Sequence, residues 1–468
     1  MKPKSSRKRI CQVVALMLLT QSSADATSLL DVWSVAQQYD PLYSQASYEQ
    51  LAGQARRDQA NSLWHPQVEL SAGTGVVNTN SSITGAQFSA PAMGAVSPFN
   101  NATFNTSVNG GFASRYALTA IQPVYNKERS AQSRQLNLSA DAADIAKIAS
   151  AQNLMMRVTE LYLNTVAAEE ILQLLKVNQE AIKRTYQEIQ KRVTLGDASN
   201  MDLQEAAVRF ESMKSKMIEA ELGVQINLLA LNDLTGQYVQ INRINKNFNF
   251  LSINFGELNT WIIKQQSQSP QLLILALKER IAREEVEKYA SMNSPTFDFI
   301  AQSSSDHVSG SGDYGAVSNT TNNNMIGMKL TIPLYTGGYR SSKYEESIHL
   351  ADKSKAELDQ ATLAAQQQLS TIWLSLQAAQ SRIATLSLAV KLGQERLFAT
   401  QKSHRTGARS TLELLGAESD LVNSEITLLQ AQVELLVNRV RLSVIAGDAS
   451  EKDLQIVGES LKTYNVPK

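Results

Sequence analysis

Residues 193–211 read VTLGDASNMDLQEAAVRFE, and residues 404–426 read HRTGARSTLELLGAESDLVNSEI. Each stretch lies between two long runs of helical pattern. Each has a glycine where the first run stops, Gly196 and Gly407, and a serine three residues later where the next begins, Ser199 and Ser410. Glycine ends a helix by accepting left-handed backbone, and serine starts one by capping free N–H groups. The chain therefore makes one kind of helical return twice, 211 residues apart. An internal repeat of this length fixes the architecture before any side-chain chemistry is considered.

The runs on either side are long. Lys127 to Val193 contains neither proline nor glycine, and at 1.5 Å per residue it predicts a helix of about 100 Å. Its partner, Tyr339 to Arg405, has one interruption at Gly393. Apolar residues recur at helical spacing, as in Leu154, Val158, Leu161, Leu172 and Leu175, and in Leu369, Ile372, Leu376, Ile383 and Leu386. The return helices are predicted over 200–234 and 411–446, followed by the matched glycines Gly236 and Gly447. Helices of this length suit coiled-coil packing against each other and against other copies. Each half also opens alike. Asp40-Pro41 and Ser269-Pro270 are matching cap and first-turn signals between two shorter helices, and Pro66 and Pro295 close the second of each pair.

Between these helices the period changes from 3.6 to 2. Val68, Leu70 and Ala72 share one face, as do Tyr116, Leu118 and Ala120. Phe297 and Phe299 alternate with Thr296 and Asp298, and Ile326, Met328, Leu330 and Ile332 alternate with Gly327, Lys329 and Thr331. Alternation with a polar second face predicts strands with two environments, at about 67–77, 112–122, 296–303 and 324–332. Tyr116, Phe297 and Phe299 are expected to face lipid or the interface belt. The Asn-, Ser-, Thr- and Gly-rich segments 78–111 and 303–323 are expected to be exposed loops.

The N-terminus predicts a signal peptide over 1–26. Lys2, Lys4, Arg7, Lys8 and Arg9 precede an apolar run from Ile10 to Leu19, and Ala24-Asp25-Ala26 is a cleavage pattern. The single cysteine, Cys11, lies in that segment, so the mature chain from Thr27 has no thiol for disulfides or metal. Removing the leader changes a balance of 44 basic and 44 acidic residues to 39 and 43, which gives no basic footprint for nucleic acid. Aromatic residues make up only 6%, which favours long thin helices over a bulky core. The expected organisation is a first repeat over 27–240, an equatorial connector over 241–257 packed on the outside, a second repeat over 258–448 and a polar tail over 449–468.

An exported chain with half-apolar strands and no long apolar helix fits an outer-membrane barrel. One copy offers four strands, too few to close around a pore; three copies offer twelve. The fold class expected is mostly α with a small β-barrel contribution. It comprises a duplicated helix, β-hairpin and long helical hairpin, assembled as a homotrimer with a 12-stranded outer-membrane barrel and a periplasmic α-helical barrel.

The opening SLLDVWSVAQQYDPLYSQASYEQLAGQARRDQANSLWHPQVELSAG (28–73) and both quoted turns resemble the TolC family of outer-membrane factors. The resemblance covers nearly the whole mature chain. It implies a passive export channel for type I protein secretion, drug efflux or both, reached through a periplasmic adaptor (membrane fusion) protein from an inner-membrane ABC or RND-type transporter. It also implies roles at the periplasmic tip. Asp202 and Arg409 match positions that hold the tip shut through charge and hydrogen-bond links. The family tyrosine that helps them is His404 here, which would make closure sensitive to pH. Glu413 matches the first of two acidic positions that ring the entrance; the second is Gly416 here, so one ring is expected, with weaker cation selectivity. Gly196, Asp197 and Ser199, with Gly407, Ala408 and Ser410, are the candidate adaptor contacts.

Each of these residues also has a plain structural reading, as a helix stop, a helix cap or an exposed charge. Other signals carry no function. Gly310 to Gly315 matches GxGxxG but lies in a Ser/Asn segment with no helix directly after it. His65, His307, His349 and His404 lack metal-ligand spacing, no nucleophile elbow is present, and no cofactor or catalytic residue is expected. The competing reading is a soluble periplasmic coiled-coil adaptor or binding protein without a barrel.

Overall fold

The computed structural model describes residues 28–88, 99–312, 315–406 and 408–462. The expected signal peptide with its cleavage site, the start at Thr27, residues 89–98 of the first expected loop, Asp313 and Tyr314, Gly407 and residues 463–468 lie outside them. The chain divides into two units: residues up to 52 with 142–276 and 356 onward, and residues 53–141 with 277–355. Neither coincides with a sequence repeat, since each draws on both.

In chain order the helices are α1 (Leu29–Tyr39), α2 (Pro41–Ser62), α3 (Lys127–Leu195), α4 (Asn200–Thr235), α5 (Leu258–Gln268), α6 (Pro270–Ala290), α7 (Tyr339–Arg405), α8 (Thr411–Ala446) and α9 (Glu451–Glu459). The strands are β1 (Gln67–Phe88), β2 (Phe99–Tyr125), β3 (Arg243–Ile244), β4 (Thr296–Gly312), β5 (Gly315–Thr331) and β6 (Leu461–Lys462). Helix α7 runs unbroken through Gly393. Among the described residues no helix is long and apolar enough to cross a membrane.

The second unit is built on an antiparallel sheet of order β1-β2-β4-β5. Its register sorts the side chains into two faces. Val68, Ala120, Ala301 and Ile326 lie across from one another, Leu70 is opposite Leu118, Phe299 opposite Met328, and Phe297 opposite Leu330. These residues form one apolar face, and it is uncovered: Leu70 is 74% exposed and Ile326 77%. On the other face Glu69, Thr119, Gln302 and Met325 share a row, and Arg115 Nε lies 3.4 Å from Asp306 Oδ1. The strands extend well beyond the predicted ones. Residues 78–88, 99–111, 304–312 and 315–323, expected as loops, are paired strand, with contacts such as His307 Nδ1 to Thr320 Oγ1 at 2.9 Å. Apolar alternation marks a strand only where one face leaves water, so a strand that is polar on both faces reads as loop. The helix ends in this unit are tied by polar side chains. Arg57 pairs with Asp141 at 2.8 Å, Arg134 with Glu284 at 2.7 Å, and Ser133 Oγ donates to the Ala60 carbonyl.

The first unit is helical. Its main core joins Leu29, Val32 and Ala36 of α1 to Leu154, Val158 and Tyr162 of α3, Leu369 and Leu376 of α7, and Leu435, Leu436 and Leu442 of α8. The Asp-Pro signal between α1 and α2 behaves as a cap. Buried Asp40 accepts from the Tyr43 N–H at 2.9 Å and from Arg157 Nη2 at 2.7 Å.

Two expectations are corrected here. The connector is not simply an outer covering, because Ile241, Ile244, Phe250, Ile253 and Phe255 belong to the main core. The Asn242 N–H donates to the Tyr162 hydroxyl at 2.9 Å, and burial pushes that hydroxyl up to about 12. Nor are residues 449–462 a polar tail. Helix α9 buries Leu454 and Val457, and β6 pairs with β3. Its polar composition hides a one-sided helix whose aspartate faces inward. Asp453 Oδ1 lies 3.1 Å from Arg439 Nη1 and accepts from Ser443 Oγ at 2.9 Å, with side-chain exposures of 7% and 12% for the ion pair. The Arg439 guanidinium also lies 5.5 Å from the Trp261 ring centre. Both glycine ends of the return helices are required. Gly236 and Gly447 adopt φ of 68° and 78°, and a Cβ on them would strike the Tyr39 ring and the Gln268 carbonyl.

Removing one partner of a buried ion pair strands the other charge. Asp453→Ala is expected to destabilise the helical unit by about 3–5 kcal/mol. Thermal unfolding followed by circular dichroism would register this as a lower midpoint than for Asp448→Ala, whose ion pair with Lys264 is more exposed.

Candidate functional site

Both helical returns lie in the first unit. In the first, α3 stops at Leu195 because Gly196 takes φ of 83°, which lets the Asp197 N–H reach the Arg192 carbonyl at 2.8 Å. Helix α4 restarts from Ser199. Its Oγ accepts the Asp202 N–H at 3.1 Å, while Asp202 Oδ2 accepts the Ser199 N–H at 3.4 Å and its hydroxyl at 2.9 Å. This is a reciprocal capping box.

The second return repeats this arrangement. The Ala408 N–H reaches the Ser403 carbonyl at 3.0 Å. Ser410 Oγ accepts the Glu413 N–H at 3.2 Å, and Glu413 Oε2 accepts the Ser410 N–H at 2.9 Å. Asp202 and Glu413 therefore hold equivalent places in the two repeats, as the third residue of each box. Asp202 satisfies its own cap, and no hydrogen bond joins it to 404–413 among the described residues. Arg409 turns instead to Glu413, with Nη1 donating to Oε1 at 2.6 Å. The Ser410 N–H first and the Arg409 guanidinium second hold the Glu413 carboxyl below its ordinary range. His404 Nε2 lies 3.1 Å from Thr411 Oγ1, linking the last turn of α7 to the first of α8. Gly407 lies outside the described residues.

Behind the turns the helices share a small apolar cluster. Leu175 and Ile182 of α3, Phe210, Met213 and Met217 of α4, and Leu415, Val422 and Ile426 of α8 meet there. Tyr186 stacks on Phe210, with ring centres 5.8 Å apart. One carboxylate not singled out in the sequence reading lies beside this cluster. Glu418 sits three residues after Leu415 and four before Val422, which puts it on the apolar face of α8. That spacing was the available signal. No group of His, Cys, Asp and Glu side chains suited to a metal occurs among the described residues.

The geometry can now be set beside known proteins. The profile of the outer membrane efflux protein family matches residues 32–237 and 261–448. The alkaline protease secretion protein AprF of Pseudomonas aeruginosa is 23% identical over 463 residues, covering 97% of this chain and 91% of that protein. The outer membrane protein TolC of Vibrio cholerae is 22% identical over 468 residues, covering 97% and 99%. Among solved structures, the Campylobacter jejuni CmeC outer membrane channel superposes with a TM-score of 0.72 at 16% identity, covering 94% of this chain and 90% of that one. The outer membrane protein VceC of Vibrio cholerae gives 0.71 at 15%, covering 90% and 96%. The fold is thus that of these channels, and with both repeats matched by the family profile, this chain belongs to the outer membrane efflux protein family, as an export channel protein of the outer membrane that extends into the periplasm.

Proposed function

We propose that three copies of this chain close into one passive export duct and that its main cargo is protein. The observation that carries the reading is the sheet. It has an exposed apolar face, a polar second face and two unpaired edges, β1 and β5. In hydrocarbon every backbone N–H and C=O must be paired within protein, so a spanning sheet has to close. Four strands cannot enclose a pore, whereas the edge of one copy paired to the opposite edge of the next closes twelve. The apolar face then meets lipid and the polar face lines the lumen.

The helices support the same assembly. On α4 the apolar residues Ile218, Leu222, Ile226 and Leu229 are exposed at helical spacing, which leaves a seam for another copy. Each repeat, 27–240 and 258–448, would supply two strands and one long helical pair. A duct of this kind needs a tip that closes, and we assign that role to the turns. Asp202, His404 and Arg409 are the candidate gating residues, and Glu413 repeated three times forms the entrance ring. Gly196, Asp197, Ser199, Gly407, Ala408 and Ser410 present the surface for a periplasmic adaptor, which would couple the duct to an inner-membrane ABC or RND-type transporter. The relatives AprF and PrtF are a protease secretion pair by name, which favours protein cargo over small molecules.

Protein extracted from membranes with detergent should run as a trimer that heating converts to monomer; a water-soluble monomer would instead indicate the adaptor reading. In planar bilayers Glu413→Gln should reduce cation over anion selectivity, and Arg409→Ala should raise conductance by freeing Glu413 and loosening the tip. Unchanged selectivity and conductance in both variants would remove the entrance from these residues. Deleting the gene should deplete secreted proteins and leave drug susceptibility within about twofold of the parent, and the reverse pattern would reassign the cargo.

A further inference from the structure

The apolar cluster behind the turns contains a chemical misfit. Glu418 Oε2 is buried and meets no hydrogen-bond donor among the described residues. An ionised carboxylate is disfavoured where one of its oxygens is buried without a donor, so this setting favours the protonated form. Several basic groups of these helices pair with other carboxylates. Arg209 of α4 pairs with Glu205 at 3.4 Å, Lys183 of α3 with Glu180 at 3.7 Å, Arg396 of α7 with Asp420 at 3.0 Å, and Arg409 at the start of α8 with Glu413. Tyr186 of α3 presents its ring to Phe210. Burial alone pushes the Glu418 carboxyl above its ordinary value.

A carboxylate is not needed to build this packing. The equivalent residue of the first return, 211 positions earlier, is Ala207. The repeat therefore carries a methyl group at this helix position, where Glu418 brings a group that can ionise.

We infer that Glu418 is a proton-operated latch that holds the second-turn helix α8 against the α3–α4 pair when protonated and releases it when ionised. The inference rests on the proposed duct, whose tip such a release would open. The direction follows from linkage. The packed arrangement binds the Glu418 proton more tightly than a separated, hydrated one. It is therefore favoured at low pH, and it weakens as pH rises above the ordinary carboxyl value of 4.5 towards the raised one. Each unit by which packing raises that value changes the ratio of packed to released forms up to about tenfold. This dependence runs opposite to a latch in which a protonated, charged His404 repels its surroundings.

The test is single-channel conductance of the purified full-length protein in planar bilayers from pH 4.5 to 8. Conductance of the wild type should rise with pH. Glu418→Gln, which keeps the shape and removes the charge, should hold the low-pH level throughout. Should that variant fail to form trimers, Glu418→Ala carries the residue the first return already uses and should give the same flat profile. His404→Gln in parallel should keep the wild-type rise. A Glu418 variant that retains the rise, a wild type that is flat, or a rise abolished by His404→Gln alone would each overturn the latch. Wild-type protein that forms no conducting trimer would instead overturn the duct reading, and the latch with it.

Discussion

The unsatisfied backbone at the two edges of the sheet governs the rest of the molecule. A strand edge is a row of free donors and acceptors, tolerable in water and intolerable in hydrocarbon. The same sheet carries an exposed apolar face, so the proposed duct turns that face to hydrocarbon and closes the edges between copies. The exposed seam on α4 follows the same logic in helical form. A side chain that looks misplaced in one copy, such as Ile218 or Leu330, becomes ordinary once the neighbouring surface is counted.

The two returns show how little sequence is needed to turn a very long helix. In the first return a left-handed glycine, a serine cap and an acidic third residue suffice, and the serine cap with its acidic third residue recurs in the second. Because Asp202 and Glu413 each complete a capping box, neutralising either also weakens the start of a helix. In the proposed duct the helix cap and the function of the tip would therefore share the same atoms. Arg409 is the asymmetric addition, since the matching position of the first return is Ala198.

What was legible in the sequence follows the physics of each signal. The long helices announce themselves through many turns without proline and with at most one glycine, and their ends through Gly196, Ser199, Ser410 and Gly447. The membrane-facing parts of the strands were legible because Val68, Leu70, Tyr116 and Leu118 alternate against polar neighbours. The outer parts were not, because residues such as His307 and Thr320 pair across strands without any apolar rhythm. The connector and the last helix were misjudged for a related reason. Few apolar residues sufficed to place them in the core, and those were diluted by asparagine in one segment and by charge in the other. At the turns the residue types were visible, but which partner each would choose was not. Arg409 selects the carboxylate one turn ahead, a choice that depends on geometry rather than composition.

The main helical core brings Leu29, at the very start of the described chain, into one cluster with Leu454, Val457 and Leu461 near its end. The contact spans almost the whole length of the polypeptide, and such distant closures are slow to form. A chain delivered across a membrane from its N-terminus onward cannot finish this core until its last residues have emerged. A product that stops before Leu454 therefore lacks the piece that seals the core of the helical unit.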